Sequence, residues 1–190
     1  SALAVVDDTS NEALIGRAIA GDKRAFTALV EHEIARLIAL ATRMLGSPSR
    51  AQDVVQDSLA SVWLTRHRLD PSKPIGPYLT TIVLNRCRDR LRRRKVAGFL
   101  SLPDGREADA VADDAPNPEN VAGAREQLRL VQAEIGRLPV RLQEALVLVT
   151  VEGYSQAEAA ELLGTTEKAV ETRIYRARNR LKERFENFEG

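Results

Sequence analysis

Two carboxylates are the first residues to examine for chemistry. Asp53 and Asp57 stand four residues apart with Gln56 between them, so at helical pitch all three share one face. A hydrolytic or two-metal centre on DNA would need a nucleophile or clustered carboxylates. Nothing near this face supplies them: His32 and His67 have no ligand-spaced partners. The single cysteine, Cys87, excludes an internal disulfide framework and a cysteine-based zinc site, and reads as a small apolar helix residue. The sequence therefore predicts no catalytic residue, no metal and no cofactor. What remains is the chemistry of hydrogen bonding and charge.

That chemistry concentrates in two places. Lys168, Glu171, Thr172, Tyr175 and Arg176, then Asn179, fall on one face of a helix predicted to begin after Thr166, with Arg173 beside them. Such side chains hydrogen-bond base edges or phosphates. The stretch 173–184 carries six basic residues against Glu183 alone. Upstream, Arg86, Arg88, Arg90, Arg92, Arg93, Arg94 and Lys95 place seven bases in ten positions, opposed only by Asp89. Bases at successive positions surround a helix end, so some face solvent however the helix packs, and phosphate contact is their natural use. A solubilising helix end is the plainer alternative.

These faces need helices to carry them. Aromatics make up 4% of the 190 residues, so a core must rest on Leu, Val, Ile and Ala, which favours helices. Ser155-Gln-Ala-Glu158 reads as a capping box opening a short helix that Gly164 ends, and Thr166 caps the next. Two helices around a tight glycine turn form a helix-turn-helix, with Val170, Ile174, Ala177 and Leu181 turned inward. Further capping boxes are expected at Thr9–Glu12 and Ser49–Gln52. A helix over about 50–66 buries Val55, Leu59, Val62 and Trp63. The three prolines of 67–77 stiffen a loop, and a helix over about 78–95 turns Leu79, Ile82, Val83, Cys87 and Leu91 inward. Val121, Ala124, Leu128, Val131, Ile135 and Leu138 form a later apolar stripe, and Pro139 opens a helix to about Val151.

The net charge of +1 is the sum of unlike parts. Residues 1–97 carry 16 Lys/Arg against 10 Asp/Glu, residues 98–120 one against six, and residues 121–190 eleven of each. The prolines, glycine and acids of 98–120 predict a flexible acidic linker, either a soluble tether or a mimic of nucleic acid. The expected fold is all-α: two small helical domains, 1–97 and 121–190, joined by that linker, the second holding the helix-turn-helix. No apolar run is long enough to span a bilayer and no signal peptide is evident, so a cytoplasmic location is expected.

Taken in order, these segments resemble the extracytoplasmic-function group of bacterial sigma factors, over about 12–96 and 121–184. Gly21-Asp-Lys-Arg-Ala-Phe26 followed by Leu29-Val30 resembles the family's opening helices, and Asp53-Val-Val-Gln-Asp57 with Val62-Trp63 its polymerase-binding helix. Tyr78 to Asn85 with Arg90 to Arg94 resembles its promoter-melting segment. Leu138-Pro139, Glu152-Gly-Tyr-Ser155, the run to Gly164 and Val170 to Arg178 resemble its second domain. The resemblance implies a first domain that recognises and opens the −10 element and a second that binds the −35 element through Lys168, Glu171, Thr172, Arg173, Tyr175 and Arg176. Asp53, Gln56 and Asp57 would face the clamp coiled coil of the β′ subunit of core RNA polymerase. Leu69, Tyr78, Asn85, Arg86, Arg90, Arg93 and Arg94 would serve −10 capture and melting, with the 67–77 loop as wall of a pocket for a flipped base. An anti-sigma factor is the implied inhibitor.

The chain departs from the family at three points. An aromatic is common at or near Leu69, Trp where Tyr78 stands, and Lys or Arg where Glu171 stands. Glu171 either accepts from cytosine N4 or discourages a phosphate, and each shifts −35 preference. A stand-alone helix-turn-helix regulator would account for 155–184 and leave the first hundred residues without a role. A recombinase or nuclease lacks its nucleophile.

Overall fold

A computed structural model describes residues 2–100 and 119–186, which form eight α-helices and no strand. They are α1 (Ala2–Ile19), α2 (Lys23–Leu45), α3 (Pro48–Leu64), α4 (Ile75–Leu100), α5 (Glu119–Arg137), α6 (Val140–Leu146), α7 (Gln156–Leu163) and α8 (Glu167–Glu186). Chain contacts group Ser1–Ala41 with Pro48–Arg86, and Thr42–Ser47 with Cys87–Gly190. This grouping is drawn differently from the 1–97 and 121–190 division expected from composition, because 42–47 and the later turns of α4 cluster with the second unit. Of the expected linker, 98–100 belong to α4 and 119–120 to α5, and the rest lies outside the described residues.

In the first unit, apolar residues three and four apart become the buried stripe. Ile15 and Ala18 of α1, Phe26, Leu29, Val30, Leu37 and Leu40 of α2, Val54, Val55 and Val62 of α3, and Leu79, Val83 and Leu84 of α4 are all buried. Each such Leu, Val or Ile contributes about 1.5–3 kcal/mol. Asp22 sets the start of α2: its Oδ1 accepts from the N–H groups of Arg24 at 2.9 Å and Ala25 at 3.1 Å, and its Oδ2 is bound by Arg17. The Phe26 and Trp63 rings tilt at 57° with centroids 5.3 Å apart, and the Arg66 guanidinium lies 4.5 Å from the Trp63 ring centroid.

Three helix starts differ from expectation. α1 begins at Ala2, upstream of the Thr9 box. α3 begins at Pro48, so Ser47 precedes it and Ser49 lies inside; proline suits a first helical position because its missing N–H would be unpaired there anyway. α4 begins at Ile75 and takes Pro77 into its first turn for the same reason.

In the second unit, α6 continues into a π-helical turn, Val147–Val151, where the Glu152 N–H reaches the Val147 carbonyl at 3.0 Å. Gln143 is buried and donates to the carbonyls of Arg43 at 2.9 Å and Met44 at 3.2 Å. The buried carboxylates Glu144 and Glu152 are held by Arg88 at 2.5 Å and Arg43 at 3.1 Å, as burial of charge requires. α6 and α7 both pack against α8. Leu128 and Val131 of the apolar stripe on α5 are exposed, as is Leu130. The side chains of Val121 and Ala124 lie outside the described residues.

Candidate nucleic-acid interface

The helix-turn-helix is built by local bonds. Ser155 Oγ accepts from the Glu158 N–H at 3.2 Å while Glu158 Oε2 accepts from the Ser155 N–H at 2.7 Å, completing the expected capping box. The Ser155 hydroxyl, which also donates to Glu158 Oε2 at 2.7 Å, and then the Ser155 N–H hold the exposed Glu158 carboxyl below its usual value. α7 stops at Gly164, whose φ of +59° is costly for any residue with a Cβ. The Thr165 N–H then returns to the Ala160 carbonyl at 2.9 Å, and Gly164 to Glu161 at 3.2 Å, closing the helix end. Thr166 Oγ1 accepts from the Ala169 N–H at 3.2 Å and starts α8.

α8 buries Val170, Ile174 and Ala177, with Leu181 half-buried. Its other side is polar and open. Lys168, Glu171, Tyr175 and Arg176 are exposed, Tyr175 by 66%, and Thr172 and Arg173 are half-buried. The Thr172 hydroxyl donates to the Lys168 carbonyl at 2.8 Å, which leaves its lone pairs to accept. Lys168 Nζ and Glu171 Oε2 form a 2.7 Å ion pair across one turn. The departure at Glu171 thus has a local consequence: it neutralises the neighbouring cation. Arg178, Arg180, Lys182 and Arg184 continue the exposed basic run.

On α4, Tyr78 and Asn85 are exposed and seven residues apart, hence on one face. Arg86 is half-buried, while Arg90, Arg93 and Arg94 are exposed; positions 86, 90 and 93 form one row. From Arg86 to Arg94 the row rises roughly 12 Å, the length of three or four nucleotides of one strand. Leu69 is buried, so little of it is left to touch a base. The loop before α4 is braced by Asp70, whose Oδ1 accepts from Ser72 Oγ at 2.6 Å and N–H at 3.0 Å. Those Ser72 bonds, hydroxyl first, lower the Asp70 carboxyl.

Asp53, Gln56 and Asp57 are all exposed on α3, opposite Val54, Val55, Ser58 and Val62. Leu64 is 73% exposed and lies seven residues beyond Asp57, on the same face, giving that face an apolar end. The sequence carried the signal for it: Leu64 falls outside the Val55–Val62 stripe. Cys87 is fully buried, and burial pushes its thiol up to about 12 against the pull of Arg90 and Arg88. Among the described residues no three His, Cys, Asp or Glu side chains group as metal ligands would. No described helix is long and apolar enough to cross a membrane.

Comparison with known proteins adds two family matches: Sigma-70 region 2 over residues 29–96 and Sigma-70, region 4, over residues 128–181. The chain is 39% identical over 180 residues to the RNA polymerase sigma factor CnrH of Cupriavidus metallidurans, covering 92% of this chain and 93% of that one. It is 33% identical over 174 residues to the ECF RNA polymerase sigma factor SigM of Mycobacterium tuberculosis, covering 92% and 84%. The solved structure of CnrH in complex with the cytosolic domain of CnrY superposes with a TM-score of 0.66 at 31% identity, covering 94% of this chain and 98% of that one.

Proposed function

Because the chain belongs to the extracytoplasmic-function sigma factors of the sigma-70 family, and so binds core RNA polymerase and directs promoter-specific initiation, we propose a division of that work among its faces. Residues 1–97 bind core and serve the −10 element, 121–190 serve the −35 element, and 98–120 link them. α8 lies in the major groove of the −35 element. Lys168, Glu171, Thr172, Tyr175 and Arg176 meet base edges and phosphates there, with Arg173 at the phosphate backbone. The observation that carries this is the exposed polar row on α8 behind buried Val170, Ile174 and Ala177.

α4 serves the −10 element: Tyr78 and Asn85 meet the displaced base, and Arg86, Arg90, Arg93 and Arg94 hold the strand backbone. Leu69 supports the loop from beneath. Asp53, Gln56 and Asp57 dock on the β′ clamp coiled coil. The protein performs no chemistry of its own, needs no cofactor or metal, and works in the cytoplasm. CnrH is solved with the cytosolic domain of CnrY, and by that likeness an anti-sigma factor holds this chain inactive by covering its polymerase-binding faces. A stand-alone regulator would have no use for the α3 and α4 faces.

In-vitro transcription with core polymerase tests the division. Arg176→Ala should weaken −35 binding and leave core binding intact, and Asp53→Ala with Asp57→Ala should do the reverse. Loss of core binding by Arg176→Ala, or its retention by the double variant, would overturn the assignment.

A further inference from the structure

The first turn of α4 is held from α2 by a closed set of contacts. Arg36 grips the Glu33 carboxylate, with Nε at 2.9 Å and Nη2 at 2.6 Å from Oε2. The same Arg36 Nη2 donates to Thr80 Oγ1 at 2.9 Å. Thr80 is fully buried, and its hydroxyl donates on to the Gly76 carbonyl at 2.9 Å. The circuit returns to its origin at Gly76, where an added Cβ would lie 2.8 Å from Glu33 Oε1 and 3.3 Å from its Cδ. Gly76 is not among the glycines with positive φ, so its backbone does not demand glycine. The contact is with the carboxylate end of Glu33, which would have to shift to admit a side chain, and the Arg36 bonds oppose that shift.

This circuit sits where the proposed −10 face begins. Gly76 lies between Pro74 and Pro77, two residues before Tyr78, and the other end of the loop is pinned by Asp70. Proline fixes φ at 74 and 77, which stiffens the segment and favours its moving as a unit in a shift of the turn against α2. Arg36 opposes that shift with planar, charge-assisted bonds to two groups at once. A displacement there passes directly to Tyr78 and, through the helix, to Asn85.

We propose that Glu33, Arg36, Thr80 and Gly76 are positioning residues that set the first turn of α4 against α2, and thereby fix where Tyr78 and the 67–77 loop hold the displaced −10 base. The inference rests on the reading that this face of α4 captures that base.

The test uses full-length protein with core polymerase on a promoter selected by the wild-type chain, with all four bases at each −10 position. Core affinity, unfolding midpoint and open-complex formation by permanganate reactivity are read together. Thr80→Val and Gly76→Ala should keep core affinity, slow opening by about tenfold and change the order of preferred −10 bases. Asn85→Ala, which leaves the circuit intact, serves as the reference. In a Glu33→Ala background the added methyl of Gly76→Ala has room, so its further effect on opening should vanish. Normal opening and base preference in Thr80→Val and Gly76→Ala, beside a defective Asn85→Ala, would overturn the positioning role and leave the −10 reading standing. A normal Asn85→Ala would overturn the −10 reading and the inference with it. An equal cost of Gly76→Ala in both backgrounds, or loss of core affinity in step with opening, would reduce the circuit to a fold contact and also overturn it.

Discussion

Replacing Glu171 by alanine separates two roles that its position on α8 allows. Its carboxylate pairs with Lys168 Nζ at 2.7 Å, and both side chains are largely in water, at 53% and 82% exposure. A pair this exposed is worth less than about 1 kcal/mol, and alanine favours the helix, so the fold should be nearly unaffected. The effect on DNA is larger. Removing the carboxylate lets Lys168 serve a phosphate, and each phosphate neutralised steepens the dependence of log affinity on log salt by about 0.9. Between 50 and 200 mM salt that one contact amounts to about a 3-fold change in affinity. If Glu171 also accepts from a cytosine N4, the variant should lose roughly 1–3 kcal/mol of discrimination at a single −35 position. Fluorescence anisotropy of holoenzyme on −35 duplexes, run over a salt series and over single-base variants, measures both quantities. A variant with the wild-type salt slope and the wild-type base preference at every −35 position would refute the placement of this face in the groove.

Three further outcomes follow from the described geometry. The Glu158 carboxyl is lowered from 4.5 by Ser155, so its contribution to stability is full above about pH 4.5 and is lost as pH falls through the lower folded value. Glu158→Gln keeps an acceptor for the Ser155 N–H and cannot titrate, so in urea unfolding its deficit against wild type should be largest near neutrality and close in acid; a deficit independent of pH would contradict this. Cys87, buried and pushed up to about 12, should react with a thiol reagent at pH 8 only as fast as the protein opens. Rapid labelling of native protein would refute its placement. Ile174→Ala should cost about 2–5 kcal/mol and lower the melting temperature, while −35 binding well below that temperature stays near wild type. A loss of binding without a loss of stability would place Ile174 in the interface instead.

What the sequence disclosed was mostly what is decided locally. The Ser155–Glu158 box, the Gly164 stop and the Val170–Ile174–Ala177 stripe involve neighbours within a turn or two, and each was legible. The boxes at Thr9 and Ser49 were not used as starts, because the pattern records only that a cap is possible. The chain begins α1 earlier, and Ser47-Pro48 offers α3 a better-set first residue. Periodicity did not disclose that Leu128 and Val131 are exposed: a three-four spacing identifies an apolar stripe but not whether the stripe has a neighbour to cover it. The Glu33–Arg36–Thr80–Gly76 circuit was invisible for the opposite reason. Its members are two pairs of ordinary residues some forty positions apart, and only packing of α2 on α4 brings the Glu33 carboxylate onto Gly76.

The π-helical turn at Val147–Val151 carries one residue more than an α-helix would use for the same span. Each residue of an α-helix turns the chain by about 100° and advances it by about 1.5 Å. Deleting Thr150, which is exposed, would take up that slack and leave every side chain of α7 and α8 in place along its own helix. Because α6 and α7 both pack against α8, the shortened connection would pull the start of α7 against that packing, and the deletion should lower the melting temperature. The extra residue of the turn therefore sets where the chain leaves α6 for α7.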